Sequence, residues 1–196
     1  MDVFALPANE YRRERWKNGA GWTREILRWP QATEDWDWRL SIAEVTQDGP
    51  FSAYPGVDRE LVLLAGEGMR LHFDDGEVAE LRPPHDRVRF PGERVLRAEL
   101  LAGPTQDFNV MWRRDRIEAQ VLHRPLVGPM LFFAEPGVRW AVHALSGRAG
   151  FKDRQPPMLL EQGDTGLIDA SGSGRVLVDG GGELLLVRLR TLGDQP

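Results

Sequence analysis

The sequence contains no cysteine among its 196 residues. This absence excludes disulfides, a thiolate nucleophile and a thiolate metal site. Apolar runs are short, and none approaches the roughly 20 residues that a membrane-spanning helix requires. The opening segment MDVFALPANEYRRERW lacks the layout of a secretory signal, because charges follow a very short apolar run. We therefore expect a cytoplasmic protein with no membrane partner.

Paired histidines and the usual catalytic motifs are missing as well. His72, His85, His123 and His143 stand apart, and none forms the H-x-H or H-x-x-x-H spacing that places two imidazoles on one metal. No serine lies in a G-x-S-x-G elbow, and the short glycine segments lack the following helix that a phosphate-binding loop needs. We expect no metal and no cofactor, and the catalytic residues, if the protein is an enzyme, are unknown.

Excess positive charge is also absent. The formal net charge is -5, which argues against a general nucleic-acid partner because phosphate binding usually requires a dominant basic face. Hydrophobic residues make up 41% and charged residues 28% of the chain, so the composition is that of a packed globular protein rather than a disordered one.

Alternation of apolar and polar residues, interrupted by Gly, Pro and Asp, predicts an all-β protein. In WDWRLSIAEV, the side chains of Trp36, Trp38, Leu40 and Ile42 would share one face of a strand, and we expect that face to be the core. The opposite face, from Asp37 to Ala43, would be small or polar. Segments such as FDDGE and VDGGGE have the composition of tight turns between strands.

A weak internal repeat indicates two similar units. Each half runs through an apolar strand, a glycine turn, further strands and a closing strand, as in LLAGEGMRL to DFNVMW and in HALSGRAGF to GELLLVRL. We predict two small β-barrels, one over residues 1–115 and one over residues 116–196, packed as one compact unit. The alternative is a single irregular β-sandwich. RRDRIEAQVLHRP would connect the units as a short strand or helix.

Polar residues embedded among aromatics and glycines are the candidates for a binding site in the first half. Each alone is explained by solvation or a turn, as with Asn18 before Gly19. Together they combine apolar walls with converging donors, and Lys and Arg are natural partners of a carboxylate. The candidate ligand-binding residues are Lys17, Asn18, Glu25, Arg39, Ser41, Ser52, Arg59, Asp107, Asn109 and Arg113.

These segments resemble the HutD family, also called Ves. The family carries W-K-N-G-x-G-x-T-x-E-I, W-R-x-S-I-A-x-V, D-G-P-F-S-x-x-P-G-x-D-R, G-x-G-M-x-L and G-P-x-x-D-F-N-V-M-x-R-R. In this sequence they stand in the same order at Trp16–Ile26, Trp38–Val45, Asp48–Arg59, Gly66–Leu71 and Gly103–Arg114. After about residue 115 only the general β pattern matches.

The resemblance implies a bicupin-like fold with two jelly-roll barrels and an association with histidine utilisation. It also implies that the protein binds a small anionic metabolite, such as N-formylglutamate, urocanate or formate, and modulates histidine catabolism. Lysine and arginine would pair with the carboxylate, whereas Glu25 and Asp107 would bind it directly or hold those cations in place.

Two other functions stay open. A metal-independent isomerase or hydrolase of a small acid or sugar could use Lys17 or Glu25 as a proton donor or acceptor. A protein-interaction module would use the same residues for structure alone. Exposed edge strands commonly pair, which makes a homodimer a further expectation.

Overall fold

The computed structural model describes residues 1–31, 33–154 and 157–193 and is built from antiparallel strands, which confirms the all-β prediction. Within these residues, no helix is long and apolar enough to cross a membrane. A short 3-10 helix lies at Ala8–Glu10. The strands are β1 Asp2–Leu6, β2 Arg12–Arg15, β3 Gly21–Trp29, β4 Trp38–Val45, β5 Gly49–Pro50, β6 Val57–Ala65, β7 Met69–Phe73, β8 Val78–Leu81, β9 Arg87–Pro91, β10 Leu96–Leu100, β11 Thr105–Arg113, β12 Ile117–Val127, β13 Met130–Phe133, β14 Val138–Phe151, β15 Met158–Glu161, β16 Thr165–Asp169 and β17 Arg175–Thr191.

The chain divides into two compact units. The N-terminal unit is Arg12–Arg116, and the C-terminal unit combines Met1–Tyr11 with the described part of Ile117–Pro196. The first eleven residues belong to the C-terminal unit because β1 pairs with β16. The connecting segment RRDRIEAQVLHRP forms most of strand β12 rather than a helix.

The N-terminal unit contains two antiparallel sheets. One has six strands in the order β2-β3-β4-β11-β6-β9, and the other has four in the order β5-β10-β7-β8. A cluster of buried apolar side chains joins them, because it draws members from both sheets. Its members are Leu61, Leu63, Met69, Leu71, Phe73, Leu81, Phe90, Leu96 and Ala98. The face of the six-stranded sheet that carries Leu61 and Leu63 is therefore its inner face.

The C-terminal unit contains one seven-stranded sheet. Its main path is β1-β16-β14-β17-β12, with β13 paired to β17 and β15 paired to β14. Its core is a cluster of aliphatic and aromatic side chains that includes Phe132, Phe151 and Ile168. Polar groups buried in this unit bond to one another: Thr165 Oγ1 lies 2.8 Å from the Tyr11 hydroxyl and 2.9 Å from His143 Nδ1.

Two local predictions differ from the structure. Strand β4 begins at Trp38, and its supposedly polar face is buried too, with Ser41 at 1% exposure and Ala43 at 5%. The segment VDGGGE is not a turn but the middle of the 17-residue strand β17. Gly180 and Gly182 adopt φ values of 154° and 130° there, a backbone region that favours glycine, and the strand continues through them.

Replacing either of two neighbouring glycines in this strand by alanine should have very different effects on stability. A Cβ at Gly182 would lie 2.1 Å from the Ser146 carbonyl oxygen, whereas a Cβ at Gly181 would meet its nearest atom at 3.9 Å. We expect Gly182→Ala to destabilise the protein by roughly 1–3 kcal/mol and Gly181→Ala to change stability by no more than about 0.5 kcal/mol. Thermal unfolding followed by circular dichroism measures both; equal effects of the two variants would contradict this account of the strand.

Candidate functional site

Strand register places a set of polar side chains on the inner face of the six-stranded sheet. Asn109 pairs with Ser41 on one side and with Leu61 on the other, and Ser41 in turn pairs with Glu25. Asp107, two residues before Asn109 on β11, lies on the same face. Met111, two residues after Asn109, also lies on this face and pairs with Arg39 on one side and with Arg59 on the other. Partners across strands lie about 5 Å apart. We call Glu25, Arg39, Ser41, Arg59, Asp107 and Asn109 the inner polar cluster.

Two β-bulges adjust which side chains share this face. The β3–β4 pairing shifts between Glu25 and Leu27, so that Glu25 and Arg28 both point to the inner face although they are three residues apart. The β11–β6 pairing shifts between Gln106 and Asp107, directly beside the buried carboxylate. Bulges often re-aim side chains beside functional sites.

Asp107 is the most deeply buried charged side chain of the cluster, with 0% exposure. Within the described residues, neither of its carboxylate oxygens has a hydrogen-bond partner. Burial disfavours the charged form and raises the pKa of Asp107 to about 7, an effect that the positive charge of Arg59 only partly opposes. The group is therefore poised to gain or lose a proton near neutral pH.

Arg59 provides the buried positive charge. Its exposure is 5%, and its Nη1 donates a hydrogen bond to the Ser52 carbonyl oxygen at 3.3 Å. Rings surround the guanidinium, with centroids 5.4 Å away for Phe51, 5.7 Å for Tyr54 and 5.3 Å for Phe90. Burial lowers the pKa of Arg59 to about 10, with Asp107 acting in the opposite direction, so the side chain stays charged at neutral pH.

Glu25 and Arg39 are already paired. The Arg39 Nε donates to Glu25 Oε2 at 2.7 Å, and Arg28 Nε lies 3.4 Å from the other carboxylate oxygen. Ser41 and Asn109 lie between this pair and Asp107, and within the described residues Ser41 Oγ and Asn109 Oδ1 are buried without a hydrogen-bond partner. Buried polar atoms are usually satisfied, so this cluster is a candidate binding site rather than ordinary core.

Four of the predicted site residues lie outside the inner polar cluster. Lys17 is exposed in the turn before β3. Asn18 shapes that turn, since its Oδ1 accepts a hydrogen bond from Ala20 N at 3.0 Å. Ser52 is exposed and contributes only its carbonyl oxygen to Arg59. Arg113 binds Asp35 at 2.9 Å and so anchors the segment before β4.

The WKNGAGWT segment acts on the site through packing. Gly19 adopts a φ of 75° in the turn, and the Trp16 indole Nε1 donates to Thr23 Oγ1 at 2.8 Å. The Trp16 ring meets the edge of Phe51 at 5.6 Å, and Phe51 packs on Arg59. The motif therefore supports one of the rings around the buried guanidinium.

Sequence reasoning did not select the three rings around Arg59 as site residues. Phe51 and Tyr54 lie in the DGPFSAYPGVDR motif, shortly before Arg59 in the sequence. Phe90 lies on β9, paired directly with Arg59 across the strand, and that long-range register has no local signal. The available clue was the spacing of aromatic residues just before Arg59.

The fold of the chain is all-β and cupin-like, and solved structures of low sequence identity share it. The chain superposes on YhhW from Escherichia coli with a TM-score of 0.71 at 6% identity, covering 96% of this chain and 97% of that one, a likeness in fold alone. The HutD family model matches residues 8–186, and the chain belongs to the HutD family. The expected family resemblance is thereby confirmed.

Individual relatives support the same family. Protein Ves of Citrobacter koseri is 40% identical over 122 residues, which cover 62% of this chain and 61% of that protein. An uncharacterized 21.2 kDa protein in the hutC 3' region of Pseudomonas putida is 38% identical over 117 residues, covering 59% of this chain and 61% of that protein. These matches thus span about three fifths of the length of the curated relatives.

A structure of HutD from Pseudomonas fluorescens SBW25, described as a formate condition, matches over nearly the whole chain. Its TM-score is 0.84 at 28% identity, and the match covers 98% of this chain and 100% of that one. The match therefore includes the C-terminal half, where the sequence motifs alone were diffuse.

The buried carboxyl group should make stability depend on pH in a particular direction. Because the pKa of Asp107 in the folded protein, about 7, exceeds its ordinary value of 3.8, folding takes up a proton between these two pH values. Stability contributed by the neutral acid is therefore present at low pH and falls, by up to about 1.4 kcal/mol per pH unit, as pH rises from about 4 to 7. Asp107→Asn should lack this component.

Thermal unfolding of the wild type and Asp107→Asn from pH 5 to pH 8 measures the difference. The melting temperature of the variant should rise relative to the wild type up to about pH 7 and then keep a constant offset. The exposed Asp115→Asn is the matched control and should follow the wild type. Parallel curves for the wild type and Asp107→Asn would show that Asp107 carries no such shift.

Proposed function

We propose that this protein binds a small carboxylate metabolite at the inner polar cluster of its N-terminal unit. The observation that carries the proposal is the buried Arg59 guanidinium, which contacts three aromatic rings and the Ser52 carbonyl oxygen. On the same face, Ser41, Asp107 and Asn109 have buried oxygens without a hydrogen-bond partner among the described residues. Arginine binds carboxylates through paired N–H donors, and desolvation strengthens such contacts. Ser41 and Asn109 would orient the ligand.

The role that fits this site is sensing rather than transport or structure. The relative in the hutC 3' region of Pseudomonas putida and the formate condition of the Pseudomonas fluorescens HutD structure support a link to histidine utilisation and to small anions. We infer a cytoplasmic bicupin that modulates histidine catabolism, with N-formylglutamate, urocanate or formate as candidate ligands. The C-terminal unit, with its apolar core, would support the binding unit.

Removing the charge of Arg59 should weaken this binding by about one to two orders of magnitude. Loss of charge-assisted hydrogen bonds worth about 1.5–3 kcal/mol corresponds to roughly a 10- to 150-fold weaker affinity. We expect isothermal titration calorimetry to show this loss of affinity for formate and N-formylglutamate in Arg59→Met. Arg59→Lys, which keeps the charge but loses the planar pair of donors, should bind with intermediate affinity.

The matched control is Arg97→Met, an exposed arginine on β10. It should bind both compounds as the wild type does. If the wild type binds neither compound nor urocanate, or if Arg59→Met binds them unchanged, the proposed site is wrong. Circular dichroism of each variant separates loss of the site from loss of the fold.

The raised pKa of Asp107 favours acid–base catalysis as a second candidate function. A carboxyl group with a pKa of about 7 can both accept and donate a proton at neutral pH. Lys17 is exposed and Glu25 is paired with Arg39, so Asp107 replaces both as the proposed proton carrier. NMR spectra of these compounds after incubation would show turnover that Asp107→Asn removes; unchanged spectra with the wild type would contradict this function for them.

A further inference from the structure

Arg59 and Asp107 occupy the same buried face without touching each other. Both carboxylate oxygens of Asp107 and the Nε of Arg59 are buried, and within the described residues none of these atoms has a hydrogen-bond partner. Opposite charges that share a buried space normally form a direct pair, since an uncompensated buried charge is strongly destabilising. Here the β-sheet register separates them: Arg59 lies opposite Met111, and Asp107 lies opposite Leu63.

We infer that a bound carboxylate bridges these two side chains and that Asp107 takes part as a neutral acid. Arg59 would donate N–H groups to one side of the ligand carboxylate, and the Asp107 O–H would donate to it from the other. This inference rests on the proposed function and specifies how the site recognises its ligand: as an anion that arrives together with one proton.

The charges on the elements around Asp107 favour this arrangement. Arg59 on β6 is the cation that opposes the effect of burial on Asp107. Arg39 on β4 is paired with Glu25 on β3 at 2.7 Å, so these two charges largely compensate each other. Tyr54 packs on Arg59, and His85 Nδ1 lies 3.0 Å from the Leu63 carbonyl oxygen.

An ionised Asp107 would repel a carboxylate in this buried space. A neutral Asp107 removes that repulsion and supplies a donor, whereas the ionised form offers acceptors only. Formate and N-formylglutamate are already ionised from pH 6 upward, because simple carboxylic acids titrate near pH 4. The protein, not the ligand, would therefore supply the pH dependence of binding.

Titration calorimetry with sodium formate and with N-formyl-L-glutamate at pH 6, 7 and 8 tests this inference on the full chain. We expect the wild-type affinity to change little from pH 6 to 7 and to fall by up to about tenfold per pH unit above the pKa of Asp107. Measurements at pH 8 in two buffers of different ionisation enthalpy should show close to one proton taken up for each ligand bound.

Asp107→Asn keeps a donor at this position and cannot titrate, so the affinity of this variant should be the same at all three pH values. Because His85 is unchanged in the variant, loss of the pH dependence would point to Asp107. Asn109→Ala is the matched control: its affinity should fall, but its pH dependence should stay like that of the wild type. The proton count on the wild type decides the question even if Asp107→Asn fails to fold.

The outcomes separate this inference from the proposed function. Binding that is independent of pH and takes up no proton would overturn the role of neutral Asp107 and leave the carboxylate site intact. Affinity that rises with pH would show that Asp107 binds its ligand in the ionised form, which also overturns the inference. Absence of binding at every pH would overturn the inference and the proposed function for these ligands together.

Discussion

The register of β11 between β4 and β6 is the constraint on which the candidate site depends. Side chains alternate along a strand, so a slip of one residue would turn Asp107 and Asn109 to the opposite face and bring Phe108 and Val110 inward. That slip is opposed on both faces, because Phe108 and Val110 are themselves fully buried in their present position. Burial of apolar side chains on one face thus fixes the polar side chains on the other.

The polar face is costly to maintain. Burying a carboxyl group and a guanidinium without a direct pair sacrifices stability that apolar side chains would provide. The C-terminal unit shows how the same chain treats polar groups that only support the fold: Thr165 is buried between Tyr11 and His143 and bonds to both. In the inner polar cluster the corresponding bonds of Ser41 and Asp107 are not made within the described residues. This difference supports the proposal of a binding site at the cluster.

The strands and many polar residues of the candidate site could be predicted from local sequence, but the pairing of those strands could not. Alternation in WDWRLSIAEV placed Arg39 and Ser41 on the same face of a strand, and both lie on the inner face. It could not tell that both faces of β4 are buried, because alternation does not reveal which sheet covers each face. Lys17 and Asn18 were candidates as polar residues embedded among aromatics and glycines. The turn at Gly19 leaves them on the surface, whereas the strand that follows carries Glu25 inward.

Motifs contain residues that are neighbours in sequence, whereas a buried site depends on residues that are neighbours across strands. Phe90 illustrates the point: it contacts Arg59 because β9 pairs with β6, and nothing near Phe90 in the sequence indicates a cation. The same pairing explains why an arginine can be buried here at all. Three rings and one carbonyl oxygen replace part of the hydration that the guanidinium loses, and the flat cation packs well against aromatic faces. The charge is therefore held in place by contacts within one motif, from Phe51, Ser52 and Tyr54, and by one contact across strands, from Phe90.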